Sequence, residues 1–211
     1  MATSHMTTII FSTIVIMLIS SAIAAKSSGD IGGKPKPTPF VLEACKSASD
    51  NSRRYNYVSQ EFCIFTLQSD NRSADAKNHR DLALIPVDIL KGRVVTAGGN
   101  IKEVLHNTKN ITSSMARHLR ICELGYDATR SMLNLCGAFM RNYQGDNMSE
   151  YNDGPHSSEL PVCVDQVNKV SDYCAFALFD MPGVEVLIEE NDELQKLIDL
   201  SMALLSPYRD S

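Results

Sequence analysis

The sequence lacks the signatures of several large protein classes. It contains no G-x-S-x-G elbow, H-E-x-x-H pair, P-loop or dinucleotide fingerprint, which argues against the common hydrolase and nucleotide-binding chemistries. It has no C-x-x-C, and His79, His106, His118 and His156 lack ligand spacing to one another or to a cysteine. A formal net charge of -5 without a basic stripe makes nucleic acid an unexpected partner. We therefore expect no catalytic residue, no cofactor and no metal.

No apolar run reaches the ~20 residues that a membrane-spanning helix needs. The longest candidate, Ile9–Ile19, has the length of the apolar core of a signal peptide. Small residues at Ala22 and Ala24 follow it in the A-x-A pattern of a cleavage site. We expect residues 1–24 to be a signal peptide that is removed on secretion, with a retained membrane anchor as the alternative.

Export into an oxidising compartment determines how the other features are interpreted. Six cysteines are an even number, which favours disulfide bridges. Three N-x-[S/T] sequons, at Asn71, Asn110 and Asn147, are candidate glycosylation sites. Residues 25–39 have the Gly, Pro, Ser and Lys content of a disordered leader, and residues 40–206 then form one domain.

The remaining chain has the periodicity of helices, with almost no strand-like alternation. Asn100 with Glu103 resembles a capping box, and Gly98-Gly99 just before it predicts a break between two helices. Pro86 either kinks the earlier of these helices or lies in its first turn. Later apolar positions step by three and four along three stripes: Cys122, Tyr126, Thr129, Leu133, Cys136, Met140; Leu160, Cys163, Val167, Val170, Cys174, Leu178; and Leu187, Leu194, Leu197, Ile198, Leu204, Leu205.

The last of these stripes predicts a C-terminal amphipathic helix. Asn191 or Asp192 is its candidate N-cap, and Pro207 is expected to end it. The acidic cluster at Glu185–Leu194 is interpreted as the solvated face and capping region of this helix rather than as paired catalytic carboxylates. These patterns together predict an antiparallel helix bundle with shorter helices at the N-terminus.

Helix geometry predicts how four of the cysteines pair. Cys122 and Cys136 are ~21 Å apart along one helix, and Cys163 and Cys174 are ~16.5 Å apart along another. If the two helices are antiparallel neighbours, the bridges must be nested, as Cys122 to Cys174 and Cys136 to Cys163. Crossed pairing would need parallel helices. Cys45 and Cys63 remain, and their bridge would fold an N-terminal helical hairpin, since a secreted thiol with five candidate partners rarely stays free.

Several segments resemble the plant invertase and pectin methylesterase inhibitor family. They are "FCIFTLQSD" at Phe62–Asp70, "DLALIPVDIL" at Asp81–Leu90, "CELGYDATRSML" at Cys122–Leu133 and a closing helix "NDELQKLIDLSMALLS". The resemblance implies an up-down-up-down four-helix bundle with an N-terminal helical hairpin, stapled by Cys45 to Cys63 and Cys122 to Cys174. The family has four such cysteines, so Cys136 and Cys163 form an extra pair.

The resemblance also implies a function. It indicates a secreted, non-enzymatic inhibitor that acts as a monomer and forms a stoichiometric complex with a plant invertase or pectin methylesterase. The location would be the apoplast or cell wall, or alternatively the vacuole. Invertase-type members are similar in placing a Pro-Lys-Phe-like tripeptide in a helix–helix loop, where this chain has Gly154, Pro155 and His156. These three residues are the candidate target contact, within the long loop from Asn142 to Ser158.

Two other functions are compatible with the same framework. A family-like protein without inhibitory activity, such as a pollen or seed protein, is the first alternative. A secreted carrier of small apolar ligands also uses six cysteines on a helical frame. The C-x3-C and C-x8-C spacings of insect odorant-binding proteins are absent here, which argues against the carrier.

Overall fold

Seven α-helices and one short 3-10 helix form the regular structure of the residues that the computed structural model describes, namely 36–52, 58–108, 111–143, 159–179 and 181–208. The α-helices are α1 (Pro39–Ser52), α2 (Gln60–Leu67), α3 (Arg72–Asp75), α4 (His79–Asn107), α5 (Ser113–Asn142), α6 (Glu159–Phe179) and α7 (Glu185–Leu204). The 3-10 helix is Ser206–Tyr208. No strand occurs within these ranges, so the expected all-α class is confirmed.

Helices α4 and α5 are antiparallel neighbours. Near one end of the pair, Asp88 of α4 accepts a hydrogen bond from Arg141 of α5 at 2.9 Å. Near the other end, Lys102 of α4 lies 3.5 Å from the carboxylate of Glu123 of α5. Because an early residue of one helix meets a late residue of the other, the chain reverses direction between them.

Helices α6 and α7 are antiparallel in the same way. Gln195 of α7 donates to Asn168 of α6 at 2.6 Å, and Asn191 of α7 donates to the backbone carbonyl of Ser171 at 3.2 Å. Helix α4 packs against α5 and α7, and helix α6 packs against the same two helices. The four long helices therefore form the expected up-down-up-down bundle, in which α4 and α6 lie diagonally opposite each other.

The bundle interior is aliphatic, as the sequence stripes predict. The stripe positions on α5, α6 and α7 face inward because residues three and four apart share one side of a helix. Burying each large aliphatic side chain contributes about 1.5–3 kcal/mol. The largest fully buried side chains are Leu67, Leu82, Ile85, Leu90, Ile101, Leu119, Leu133, Met140, Leu160, Leu178, Leu194 and Ile198.

The N-terminal hairpin of α1 and α2 is held by a disulfide between Cys45 and Cys63, with Cα atoms 5.5 Å apart. Helix α1 also packs against α7, which fixes the hairpin to the bundle. Pro39, assigned to the leader by its composition, is instead the first residue of α1, where the missing N–H of proline costs nothing. Thr38 precedes it and accepts a hydrogen bond from the Val41 amide at 3.2 Å, as a cap.

The expected helix break at Gly98-Gly99 is wrong. Helix α4 runs through both glycines to Asn107, and a Cβ on Gly98 would lie 3.9 Å from the Cβ of Tyr126 on α5. An added methyl group at Gly98 would thus make only an ordinary van der Waals contact, and the glycine pair does not end the helix. Asn100 is not a cap, because its amide donates to the Glu190 carboxylate of α7 at 2.7 Å.

The actual boundary between α4 and α5 lies about a dozen residues later. Thr108 is the C-cap of α4, and the Thr112 hydroxyl accepts from the Met115 amide at 3.2 Å to start α5. Pro86 is the eighth residue of α4, so the first-turn alternative for it is wrong as well. A capping threonine was thus the correct start signal.

The start and end of α7 also differ from expectation. The helix begins at Glu185, with Val184 at the N-cap position and no side-chain cap, so neither Asn191 nor Asp192 starts it. Gly183 just before it has φ of +78°, which glycine adopts without strain. The helix ends at Leu204, and Pro207 lies in the 3-10 helix that follows.

Candidate functional site

Two disulfides join α5 to α6. Cys122 pairs with Cys174 and Cys136 pairs with Cys163, with Cα separations of 5.4 and 5.7 Å. These are the nested pairs that antiparallel helices require. The bridges set the register of the two helices and hold them together at two levels.

Between the two bridges, the helices touch at a glycine. A Cβ on Gly125 of α5 would lie only 2.6 Å from Cγ1 of Val170 on α6. No side chain larger than hydrogen fits there without movement of its neighbour. The pair α5–α6 is therefore a closely packed, doubly cross-linked unit.

Three large apolar side chains of α5 face solvent rather than the core. Leu124 is 69% exposed, Leu135 is 70% exposed and Ile121 is also exposed. Ile121 lies one helical turn from Gly125, and helical spacing puts all three on the edge of α5 that borders α6. The inward stripe does not account for these residues.

Helix α6 also carries three large apolar side chains that are exposed to solvent. Phe176 is 84% exposed, and Val162 and Tyr173 are exposed on the same side of the helix. The Cys122–Cys174 bridge brings Tyr173 and Phe176 level with Ile121 and Leu124, and the Cys136–Cys163 bridge brings Val162 level with Leu135. We call this surface the α5–α6 face; its residues are Ile121, Leu124, Leu135, Val162, Tyr173 and Phe176.

The chemistry of this face is that of binding rather than catalysis. Apolar side chains grouped on the surface of a soluble protein commonly mark a site of interaction with another protein, and rigid aromatic residues dominate such contacts. Within the described ranges, no group of three or more His, Cys, Asp or Glu side chains is placed to hold a metal ion.

Comparison with known families gives a match over most of the chain. The model described as plant invertase/pectin methylesterase inhibitor matches residues 39–204. The chain belongs to this family. A comparison with curated proteins finds no significant match.

Family membership confirms the resemblance seen in the sequence and fixes the coarse function. Members of the plant invertase/pectin methylesterase inhibitor family are inhibitors rather than enzymes, and they act on other proteins. The family is typically extracellular. No helix among the described residues is both long and apolar enough to traverse a bilayer.

Several predicted sites of this inhibitor-family chain lie outside the described residues. They are the signal peptide at residues 1–24, most of the leader at 25–39, the sequons at Asn110 and Asn147, and the candidate contact Gly154, Pro155 and His156. The sequon at Asn71 is described. Asn71 is exposed at the start of α3, while Ser73 is buried and its hydroxyl donates to the Asp70 carbonyl at 2.9 Å. Glycosylation at all three positions stays a prediction.

A buried polar contact crosses the bundle and was not predicted. The Tyr126 hydroxyl of α5 donates to Oδ1 of Asn191 on α7 at 2.8 Å, and burial raises the pKa of this phenol. Both residues occupy inward positions of apolar stripes, and this placement could have predicted a buried polar contact from the sequence. A tyrosine and an asparagine on inward faces must find partners, because a buried polar group without one is costly.

Proposed function

We propose that the chain inhibits a plant pectin methylesterase through a stoichiometric protein–protein complex, with the α5–α6 face as the main contact. The observation that supports the proposal is the exposure of Leu124, Leu135 and Phe176 on a cross-linked helical pair in a family of inhibitors. The resemblance implies that inhibition of pectin methylesterase uses helix faces, whereas inhibition of invertase uses a loop that enters the sugar site. The apolar surface on helices favours the first.

Rigidity makes this face suitable for an inhibitor. Two disulfides and the close approach of Gly125 to Val170 fix the two helices that carry the exposed side chains relative to each other before any partner binds. A preorganised surface loses little conformational freedom on binding, so more of the contact energy appears as affinity. Phe176, Leu124 and Tyr173 supply aromatic and aliphatic anchors at one end of the face.

We further propose that residues 1–24 are a signal peptide that directs the chain into the secretory pathway and is removed on entry, and that residues 40–206 act as the inhibitory domain in the apoplast or cell wall. The protein is expected to act as a monomer, because the α5–α6 face is then available to the target enzyme. A vacuolar location is the alternative. N-terminal sequencing of protein secreted from plant cells tests the cleavage, with a start near Ala25 expected; a secreted chain that keeps Ile9–Ile19 would contradict it.

The experiment is a titration of oxidised mature protein against a plant pectin methylesterase and, separately, a plant acid invertase, near pH 5 and near pH 7. Stoichiometric loss of methylesterase activity alone is the expected result. Loss of invertase activity alone would move the contact to the 142–158 loop and would contradict the proposal. Full activity of both enzymes, with a correctly bridged protein, would favour the family-like binding protein that does not inhibit.

A deletion tests which surface acts. Removing residues 147–153 shortens the long loop and leaves the α5–α6 face unchanged. The proposal predicts that this variant inhibits pectin methylesterase as well as the full-length protein does. Loss of inhibition in a variant that keeps its three disulfides would show that the loop makes the contact.

A further inference from the structure

The sequon at Asn71 lies in the turn between α2 and α3, on the outside of the bundle. Asn71 is exposed, and its side chain makes no capping hydrogen bond. The contacts that hold the turn come from its neighbours: the Arg72 amide donates to the Asp70 carboxylate at 2.9 Å, and the Ser73 hydroxyl donates to the Asp70 carbonyl at 2.9 Å. A sugar on the Asn71 amide therefore displaces none of the contacts that hold this turn.

The burial of Ser73 sets when such a sugar can be attached. The donor in the secretory pathway is an oligosaccharide linked to a lipid diphosphate. The asparagine amide nitrogen forms a bond to the first sugar carbon and loses one proton, while the bond from that carbon to the diphosphate breaks. Because the sequon hydroxyl of Ser73 is only 5% exposed in the folded protein, the transfer must precede folding. The outward position of Asn71 then allows the modified chain to fold.

Ion pairs show where on the bundle this turn lies. Arg72, directly after the sequon asparagine, binds the carboxylate of Asp88 on α4 at 2.7 Å. Arg141, close to the C-terminal end of α5, binds the same carboxylate at 2.9 Å. The turn is therefore level with the last residues of α5. It lies on α4, which is diagonally opposite α6.

The aromatic end of the α5–α6 face lies at the other end of the bundle. Leu124 and Arg141 are ~25 Å apart along the axis of α5. Tyr173 and Phe176 are level with Leu124, because a disulfide aligns α6 with this part of α5. The sequon is therefore separated from these three anchors along the bundle as well as around it.

We propose that Asn71 carries an N-linked glycan, which covers the end of the bundle where α3 meets α4 and leaves the aromatic end of the α5–α6 face open. The second half of this proposal rests on the proposed function, because the target enzyme is what must reach that face. The target approaches from the Phe176 end. The glycan, which is bulky and hydrophilic, keeps the opposite end solvated.

Peptide mapping of protein secreted from plant cells tests the modification by itself. We expect the peptide that contains Asn71 to carry a glycan, and Asn71→Gln to remove it. Ser73→Thr keeps both the sequon and a hydroxyl at this position, so it should stay glycosylated and is the matched control. An unmodified Asn71 peptide in the wild-type protein would overturn the proposal, whether or not the protein inhibits an enzyme.

A second sequon, placed on the α5–α6 face, tests the position of the glycan. Lys169→Asn creates N-V-S at positions 169–171, one helical turn before Tyr173 and two before Phe176 on the same side of α6. When glycosylated there, this variant should inhibit pectin methylesterase at least about tenfold more weakly than wild type. Lys169→Gln removes the lysine without adding a sequon and should inhibit as wild type does.

The comparison that decides the second half of the proposal is between wild type and Asn71→Gln, which should inhibit equally. Inhibition at least about tenfold stronger in Asn71→Gln would show that the native glycan obstructs the target and would overturn the placement. If neither protein inhibits, the proposed function fails and the second half of the proposal fails with it. The glycan found at Asn71 by peptide mapping stands in that case.

Discussion

Tyr126 and Asn191 join helices α5 and α7 inside an otherwise aliphatic core. Asn191 accepts from the tyrosine hydroxyl at 2.8 Å and donates to the Ser171 carbonyl at 3.2 Å, so one amide contacts two other helices. Such a contact is directional, whereas aliphatic packing is not. The asparagine therefore favours one rotational setting of α7 against α5 and α6.

Tyr126→Phe is expected to lower the free energy of unfolding by about 1–2 kcal/mol, because it removes a buried hydrogen bond and leaves the Asn191 oxygen with a poor partner. Urea unfolding measures the loss. Tyr173→Phe makes the same chemical change at an exposed position and should have little effect. Equal effects of the two substitutions would show that the Tyr126 hydroxyl contributes nothing specific.

His79 is the first residue of α4 and connects the N-terminal hairpin to the bundle. Its ring packs edge-on against Phe40 of α1, with centroids 5.3 Å apart. Burial lowers the pKa of His79, and the nearby Glu43 carboxylate opposes the shift. The folded state therefore favours the neutral ring.

The lowered pKa of His79 predicts a pH-dependent stability. Below an unfolded pKa of about 6.5 the unfolded chain binds more protons than the folded one, so stability falls as pH decreases from about 6.5 until the folded pKa is reached. His79→Gln should reduce this slope, measured as the urea midpoint against pH. His106→Gln removes an exposed histidine from the same helix as a control. An unchanged slope in His79→Gln would contradict the assignment.

The close packing of helices α5 and α6 requires a glycine at position 125. Gly125→Ala places a methyl group 2.6 Å from Val170, which forces one of the helices or the valine to move. We expect a loss of about 1–2 kcal/mol despite the better helix propensity of alanine. Adding Val170→Ala should recover stability through a favourable coupling energy in a double-mutant cycle.

Gly99→Ala in α4 is the matched control, because nothing lies within 4 Å of its added Cβ. Alanine should stabilise this helix interior by roughly 0.5–1 kcal/mol. The same substitution is thus expected to have opposite signs on two helices. If Gly125→Ala also stabilises, the helices are not in contact at Val170.

The Cys136–Cys163 disulfide tests how helices α5 and α6 are aligned along their length. Replacing Cys136 and Cys163 by alanine is expected to lower the free energy of unfolding by about 2–4 kcal/mol, because the bridge closes a long loop in the unfolded chain. The separation of 27 residues between these cysteines sets this magnitude. Peptide mapping of the unreduced protein should recover Cys136 with Cys163. A peptide joining Cys122 to Cys163 would contradict the nested arrangement.

Periodicity predicted the helices and the two cysteine pairs that join α5 to α6, because both depend on the regular spacing of a helix. It failed at Gly98-Gly99, where the helix continues through both glycines because α4 is held by its packing on α5 and α7 rather than by local propensity. The prediction that Asn191 caps a helix was wrong for a similar reason. Its capping propensity is local, but its partner lies 65 residues away along the chain. Propensity has no information about such partners.

At the scale of the whole molecule, the apolar stripes predict the core but not which apolar residues are exposed together on the surface. The stripes identify inward residues, and they leave Leu124, Leu135 and Phe176 as apolar residues at outward positions, a signal that the sequence contained. Periodicity could not predict which helix packs beside α5. Only the pairing of α5 with α6 places these residues on one face, and family membership adds that proteins of this kind inhibit an enzyme.

The most direct test compares Phe176→Asp with Val95→Asp in inhibition of a plant pectin methylesterase. Both substitutions put a carboxylate on an exposed apolar position, but Val95 lies on α4, diagonally across the bundle from α6. The account predicts that wild-type protein and Val95→Asp inhibit stoichiometrically, while Phe176→Asp binds at least about tenfold more weakly. Full inhibition by Phe176→Asp, or loss of inhibition in Val95→Asp alone, would contradict it.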